Sequence, residues 1–259
     1  MTKTVTESNN QTPHDGKLAP ADILAANQTN YETLYQAEQA FLRYPADWLI
    51  RFHNMFLRNA IPPGARVLDY GCGSGNSAIF LMEKGYEVHG VDVAPSFKSL
   101  LKKNMELHHV DTTAADGFSV ISPDSTELDF PDNHFDFIFS NQVLYYLPSI
   151  EHLQKVCAGF KRVLRPGGVV FFTMMGPRNY YITHHLKAVH ANGTIYDVRV
   201  EEKGHRLEGV REVVLVAKDE KHLCKMFSAF EPVTVGYFDQ KMFDLHSNFH
   251  WIFAGRKKA

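Results

Sequence analysis

Cysteine is scarce in this chain: Cys72, Cys157 and Cys224 are the only three among 259 residues. They are too few and too scattered for a disulfide framework or a cysteine-built zinc site. Basic charge is not in excess, since 27 Lys and Arg face 29 Asp and Glu for a formal charge of −2. No basic stripe stands outside the short tail Arg256-Lys257-Lys258, which argues against a nucleic-acid platform that must meet a phosphate backbone. No apolar stretch approaches the roughly 18–20 residues of a membrane-spanning helix. Residues 1–17 are polar and lack the apolar segment of a signal peptide. Membrane, secreted-disulfide and collagen-like classes are thereby set aside, and a cytoplasmic enzyme or binding protein is expected. Hydrophobic residues make up 44% of the chain, ample for the core of one large domain carrying insertions.

The chain divides by pattern. Residues 1–20, rich in Thr, Asn, Gln, Ser and Pro, read as a disordered leader. In 21–61 the residues Tyr31, Leu34 and Tyr35, then Phe41, Leu42 and Tyr44, then Trp48, Leu49, Phe52 and Phe56 recur at helical spacing. They predict two amphipathic helices, with Pro45 near the start of the second. After the breaker Ile61-Pro62-Pro63-Gly64, strand signals over 66–69, 86–93, 118–122, 135–140 and 169–174 alternate with helix signals over 76–84, 95–108 and 149–164. Such alternation through 62–175 means βαβ units and a mainly parallel sheet in an α/β core. Residues 176–218 break the rhythm and predict a helix followed by a β-hairpin, an inserted cap after the fifth strand. A helix over 220–230 and strands near 232–238 and 249–255 complete the core within 219–259.

The informative stretch is Val67-Leu68-Asp69-Tyr70-Gly71-Cys72-Gly73-Ser74-Gly75. A strand ends at an acid, and alternate glycines let the following turn pass close beneath a ligand. The next strand ends in a second acid, Asp92, placed to accept both hydroxyls of a ribose lying across the strand ends. A dinucleotide fingerprint would read G-x-G-x-x-G. Here the spacing is G-x-G-x-G, and Asp69 just before it would repel a pyrophosphate but suit an ammonium or sulfonium group.

With these features the chain resembles the class I S-adenosylmethionine-dependent methyltransferases. The resemblance extends through the segment from Asp124 to Asp136, through Ser140-Asn141-Gln142-Val143-Leu144-Tyr145-Tyr146-Leu147, and through Leu164-Arg165-Pro166-Gly167-Gly168. It covers 62–176 closely and 219–256 loosely. It implies a doubly wound, mainly parallel seven-stranded sheet of Rossmann-like form, with the helices of 21–61 as a lid, and S-adenosylmethionine as cofactor. It also implies roles: Asp69 and the backbone of Gly71, Cys72 and Gly73 hold the methionine moiety, and Asp92 the ribose. Val93 packs on the adenine, Asp124 accepts from its amine, the Ser125 N–H reaches a ring nitrogen, and Asn141 and Val143 line the methionine end. The N-terminal helices must bury their apolar face near the glycine turn, which brings Tyr31 or Tyr44 close to the methionine end.

The reaction this implies is direct in-line methyl transfer to a small-molecule or carbohydrate-type acceptor. His184, His185 and Tyr146, with Tyr145 beside it, are candidate bases if the acceptor is a hydroxyl. The amino-methyltransferase signature Asn/Asp-Pro-Pro-Tyr/Phe is missing, since Asn141-Gln142-Val143-Leu144 stands in its place. No metal is expected, because His184, His185 and His190 lack i, i+4 spacing and His246 and His250 fall in a predicted strand. No membrane or nucleic-acid partner is expected, and the chain should act as a monomer or homodimer. Two other readings stay open, a nicotinamide oxidoreductase and a non-catalytic partner subunit that binds the same cofactor.

Overall fold

The computed structural model describes residues 19–190, 193–204, 208–241 and 247–258. Most of the predicted leader, 1–18, therefore lies outside the described residues, as does His246. Pro20 opens helix α1 (Pro20–Gln36), where its missing N–H has no intrahelical partner to lose. Pro45 precedes helix α2 (Asp47–Phe52), and a π-helical turn, His53–Leu57, joins α2 to the short α3 (Arg58–Ala60). The α/β alternation then begins with β1 (Arg66–Tyr70), α4 (Asn76–Glu83), β2 (Glu87–Asp92), α5 (Phe97–Leu107) and β3 (Phe118–Val120). It continues through β4 (Phe135–Ser140), α6 (Ile150–Val163) and β5 (Leu164–Met175).

The inserted segment differs from the predicted helix and hairpin. A five-residue helix α7 (Tyr180–His184) leads into three antiparallel strands, β6 (Leu186–Val189), β7 (Ile195–Arg199) and β8 (Arg211–Leu215), ordered β6-β7-β8. The chain returns through α8 (Glu220–Met226), β9 (Glu231–Phe238) and β10 (His250–Arg256).

The main sheet has seven strands in the order β3-β2-β1-β4-β5-β10-β9. β1, β2, β3, β4 and β5 pair in parallel, and β10 runs antiparallel between β5 and β9. Its two faces are covered separately. On one, Phe160, Val163 and Phe227 of the α6/α8 side pack with Leu68, Ile138 and Phe172. On the other, Leu49, Ile79 and Leu101 pack with Val67, Phe137 and Phe171. Continuous apolar strands of this kind need cover on both sides. The fold is a doubly wound, Rossmann-like α/β sheet. The order reverses at β1, which places the ligand crevice at the carboxyl ends of β1 and β4. Among the described residues, no helix is long and apolar enough to cross a membrane.

Candidate functional site

The carboxyl end of β1 turns sharply through Gly71, whose φ of +78° only glycine adopts without strain. A Cβ there would also stand 2.3 Å from a Val143 methyl. The Gly71 and Cys72 N–H groups donate to the Val91 carbonyl at 2.7 and 3.1 Å. The Gly73 N–H donates to Asp92 Oδ2 at 2.9 Å, and the Ala94 N–H to Asp92 Oδ1 at 3.0 Å. The glycine turn and the acid of β2 are thus one hydrogen-bonded unit, and the Gly71, Cys72 and Gly73 amides are committed inside the protein.

Asp69 is buried, and its Oδ2 has no hydrogen-bond partner among the described residues. Burial, with neighbouring Asp92 second, pushes its carboxyl up to about 7. Burial raises Asp92 as well, against the opposing pull of the Ala94 and Gly73 amides. Two acids at the mouth of one glycine turn make a site that a cation relieves and an anion worsens.

Above this floor lies a cavity of about 830 Å³, within the usual range for a ligand site. α1 forms its roof, held through side-chain amides that reach main-chain carbonyls. Asn27 donates to Tyr146 at 2.9 Å, Gln28 to Val93 at 2.8 Å and Asn30 to Arg211 at 3.0 Å. Tyr35 reaches Asp92 Oδ2 at 3.5 Å from the same helix. Asn141 joins the wall, its Oδ1 accepting from Trp48 Nε1 and Thr173 Oγ1, both at 3.1 Å.

The half of the cavity away from the turn is aromatic. The Tyr31 and Tyr146 rings meet edge to face at 5.2 Å, and Tyr145 lies 4.4 Å from Tyr146. Burial raises all three phenols, so they remain protonated hydrogen-bonding groups. Tyr180 and Tyr181 line the cavity from the insertion, with Glu202 and Glu212 near them. The Tyr180 hydroxyl donates to Glu202.

Of the residues singled out in the sequence, the cavity brings together Asp69, Gly71, Cys72, Gly73 and Asp92 on its floor. Tyr31, Val93, Asn141, Val143 and Tyr146 complete its walls. Others lie elsewhere. Tyr44 is 66% exposed; its carbonyl accepts from Asn76, and its ring turns outward against His108. The Ser125 N–H is already spent on the Ser122 carbonyl at 3.0 Å. Asp124 is exposed and accepts from Ser122 Oγ, so Ile121 and Pro123 reach the cavity in their place. His184 is exposed and His185 buried, and neither lines the cavity. Both pack on the Tyr180 ring, at 4.6 and 4.8 Å, and it is Tyr180 that faces inward. Tyr35, Trp48 and His250 were not among the predicted site residues. Tyr35 belongs to the helical repeat that names Tyr31, one turn further on, so periodicity alone could have found it.

Residues 68–172 match the family described as "Methyltransferase domain". An uncharacterized methyltransferase of Synechocystis is 32% identical over 120 residues, 46% of this chain and 51% of the relative. A 2-methyl-6-phytyl-1,4-hydroquinone methyltransferase of Synechocystis is 34% identical over 113 residues, 43% of this chain and 32% of the relative. The chain thus spans about half of the length of one of these curated relatives and a third of the other. The solved structure of the 1,6-didemethyltoxoflavin-N1-methyltransferase of Burkholderia thailandensis, which has S-adenosylhomocysteine bound, superposes with a TM-score of 0.61. It is 19% identical and covers 95% of this chain and 94% of that one. The core segment 68–172 is thus similar to methyltransferase domains, and the whole chain shares its fold with a solved methyltransferase.

Proposed function

We propose that this protein transfers a methyl group from S-adenosylmethionine to a small-molecule acceptor, directly and in line. The observation that carries this reading is the orphaned, buried Asp69 Oδ2 beside a glycine turn whose Gly71, Cys72 and Gly73 amides are all spoken for. A pyrophosphate would find the Gly71, Cys72 and Gly73 amides spent and two acids beside them, which weighs against a nicotinamide dinucleotide. An ammonium-bearing sulfonium cofactor fits: Asp69 would answer its ammonium, Asp92 its ribose, and Val93 with Ile121 its adenine. When bound it supplies an already activated methyl group.

The protein's own contribution is alignment and the exclusion of water. α1 and the inserted segment 176–218 close the cavity from two sides, and Tyr31, Tyr145 and Tyr146 offer aromatic faces to the positive charge in transit. A methyl-donor assay over a metabolite panel, read as release of S-adenosylhomocysteine, tests the proposal. Turnover with at least one small molecule is expected; reduction of a substrate by a nicotinamide cofactor would replace this reading with the dinucleotide one.

A further inference from the structure

His250 is the first residue of β10, opposite Met175 at the carboxyl end of β5 and Phe238 of β9. It therefore sits on the same sheet edge as Asp69 and lines the same cavity. Its plane is fixed by a column of rings: Trp48 stacks on Phe238 at 3.6 Å, and Phe238 on His250 at 5.1 Å. The Tyr145 ring lies 5.5 Å away. The imidazole is 2% exposed. Its Nδ1 stands 3.1 Å from the Asn248 carbonyl, and a carbonyl can only accept, so Nδ1 carries the proton. Nε2 is then a lone-pair acceptor, and it has no hydrogen-bond partner among the described residues. Buried acceptors in folded proteins are matched by donors. His250 lines the cavity, and a hydrogen-bond donor on a ligand held there would satisfy this nitrogen.

We propose that His250 Nε2 accepts the hydroxyl hydrogen of the methyl acceptor, so that the transfer is to oxygen. This rests on the methyltransferase reading above. As the acceptor oxygen forms its bond to the methyl carbon, the carbon–sulfur bond breaks with its electron pair left on sulfur. The hydroxyl proton passes to Nε2 and from the imidazolium to solvent on product release. Burial, opposed by the Asn248 carbonyl and Asp239, lowers this imidazole to about 4, which keeps it a neutral acceptor across the working range. A base so weak suits oxygen, because an oxygen gaining a methyl group becomes strongly acidic. An amine gaining one becomes an ammonium less acidic than this imidazolium and keeps its proton.

The test incubates the full chain with methyl-¹³C-labelled S-adenosylmethionine and a small-metabolite extract, and reads the bonded atom from the ¹³C shift of the product. An O-methyl product is expected; a methyl on nitrogen, sulfur or carbon, or no methylated product, overturns the proposal. His250→Phe keeps the ring stack and should lower transfer by about 10²-fold, while its S-adenosylhomocysteine affinity by calorimetry stays within about twofold. His250→Gln, which restores an acceptor, should recover part of the loss. Unchanged transfer in His250→Phe overturns the proposal. A readout independent of turnover is the ¹⁵N spectrum of histidine-labelled native protein: an Nδ1–H tautomer at His250 is expected, and an Nε2–H tautomer overturns it. A chain that binds no S-adenosylhomocysteine contradicts the methyltransferase reading itself.

Discussion

At the scale of single residues, the site is organised around carboxylates that the fold makes costly to ionise. Asp69 stands at about 7, above the value of about 3.9 expected in an unfolded chain. A carboxyl raised on folding binds its proton more tightly in the native state, so its contribution to stability falls as pH rises from the unfolded value through the folded one. Ligand-free protein should therefore lose stability from this group between about pH 4 and 7. A cation bound beside Asp69 drives the carboxyl to ionise, so binding should tighten over the same rise. Calorimetry of S-adenosylhomocysteine near pH 6 in buffers of different ionisation heat should show proton release. Asp69→Asn should abolish that release and weaken binding; a buffer-independent heat in the native protein would contradict this electrostatic picture. Asp92 needs a gentler probe. It holds the Gly73 and Ala94 amides, so Asp92→Ala orphans both and costs folding as well as ligand. Asp92→Asn keeps one acceptor oxygen and should cost about 1.5–3 kcal/mol of cofactor affinity, measured by calorimetry, with a smaller fall in melting temperature than Asp92→Ala.

At the scale of elements, α1 is held to the core by side-chain amides as well as by its buried Ile23, Leu24, Leu34 and Tyr35. Asn27, Gln28 and Asn30 each reach a carbonyl on a different part of the chain, while Glu32 accepts from the Ser96 N–H at 3.0 Å. Replacing Gln28 and Asn30 together by Ala should loosen this roof. Hydrogen exchange across 20–36 should accelerate and S-adenosylhomocysteine affinity should fall several-fold, with exchange in β1 and β4 unchanged. Unaltered exchange in α1 would show that its apolar contacts alone suffice. The same contrast explains what could be read in the sequence. β4 is legible because Phe135–Ser140 is buried at every position, and α6 because Ser149 caps it by accepting from the His152 N–H at 3.1 Å. β6 is not legible: three of its four residues are exposed, and it exists through pairing with β7 rather than through its own pattern. β5 begins as early as Leu164 because that residue pairs with Phe135 ahead of a register shift, and no local signal announces a long-range pairing. The floor of the site is legible because glycines and acids serve local backbone geometry. His250 is not, because its importance lies in a free nitrogen that only tertiary packing isolates.

At the scale of the whole molecule, a doubly wound sheet presents its switch point to a cavity roofed by an N-terminal helix and an inserted antiparallel sheet. The floor is acidic and the far half aromatic, and under the proposed function one enclosure would hold the cofactor and the acceptor together. The most direct measurement is a calorimetric titration of the full chain with S-adenosylhomocysteine, paired with NADH. We expect one site of micromolar affinity for S-adenosylhomocysteine, a matching rise in melting temperature, and no heat with NADH. Binding of NADH, or silence with S-adenosylhomocysteine, would contradict the assignment of this cavity.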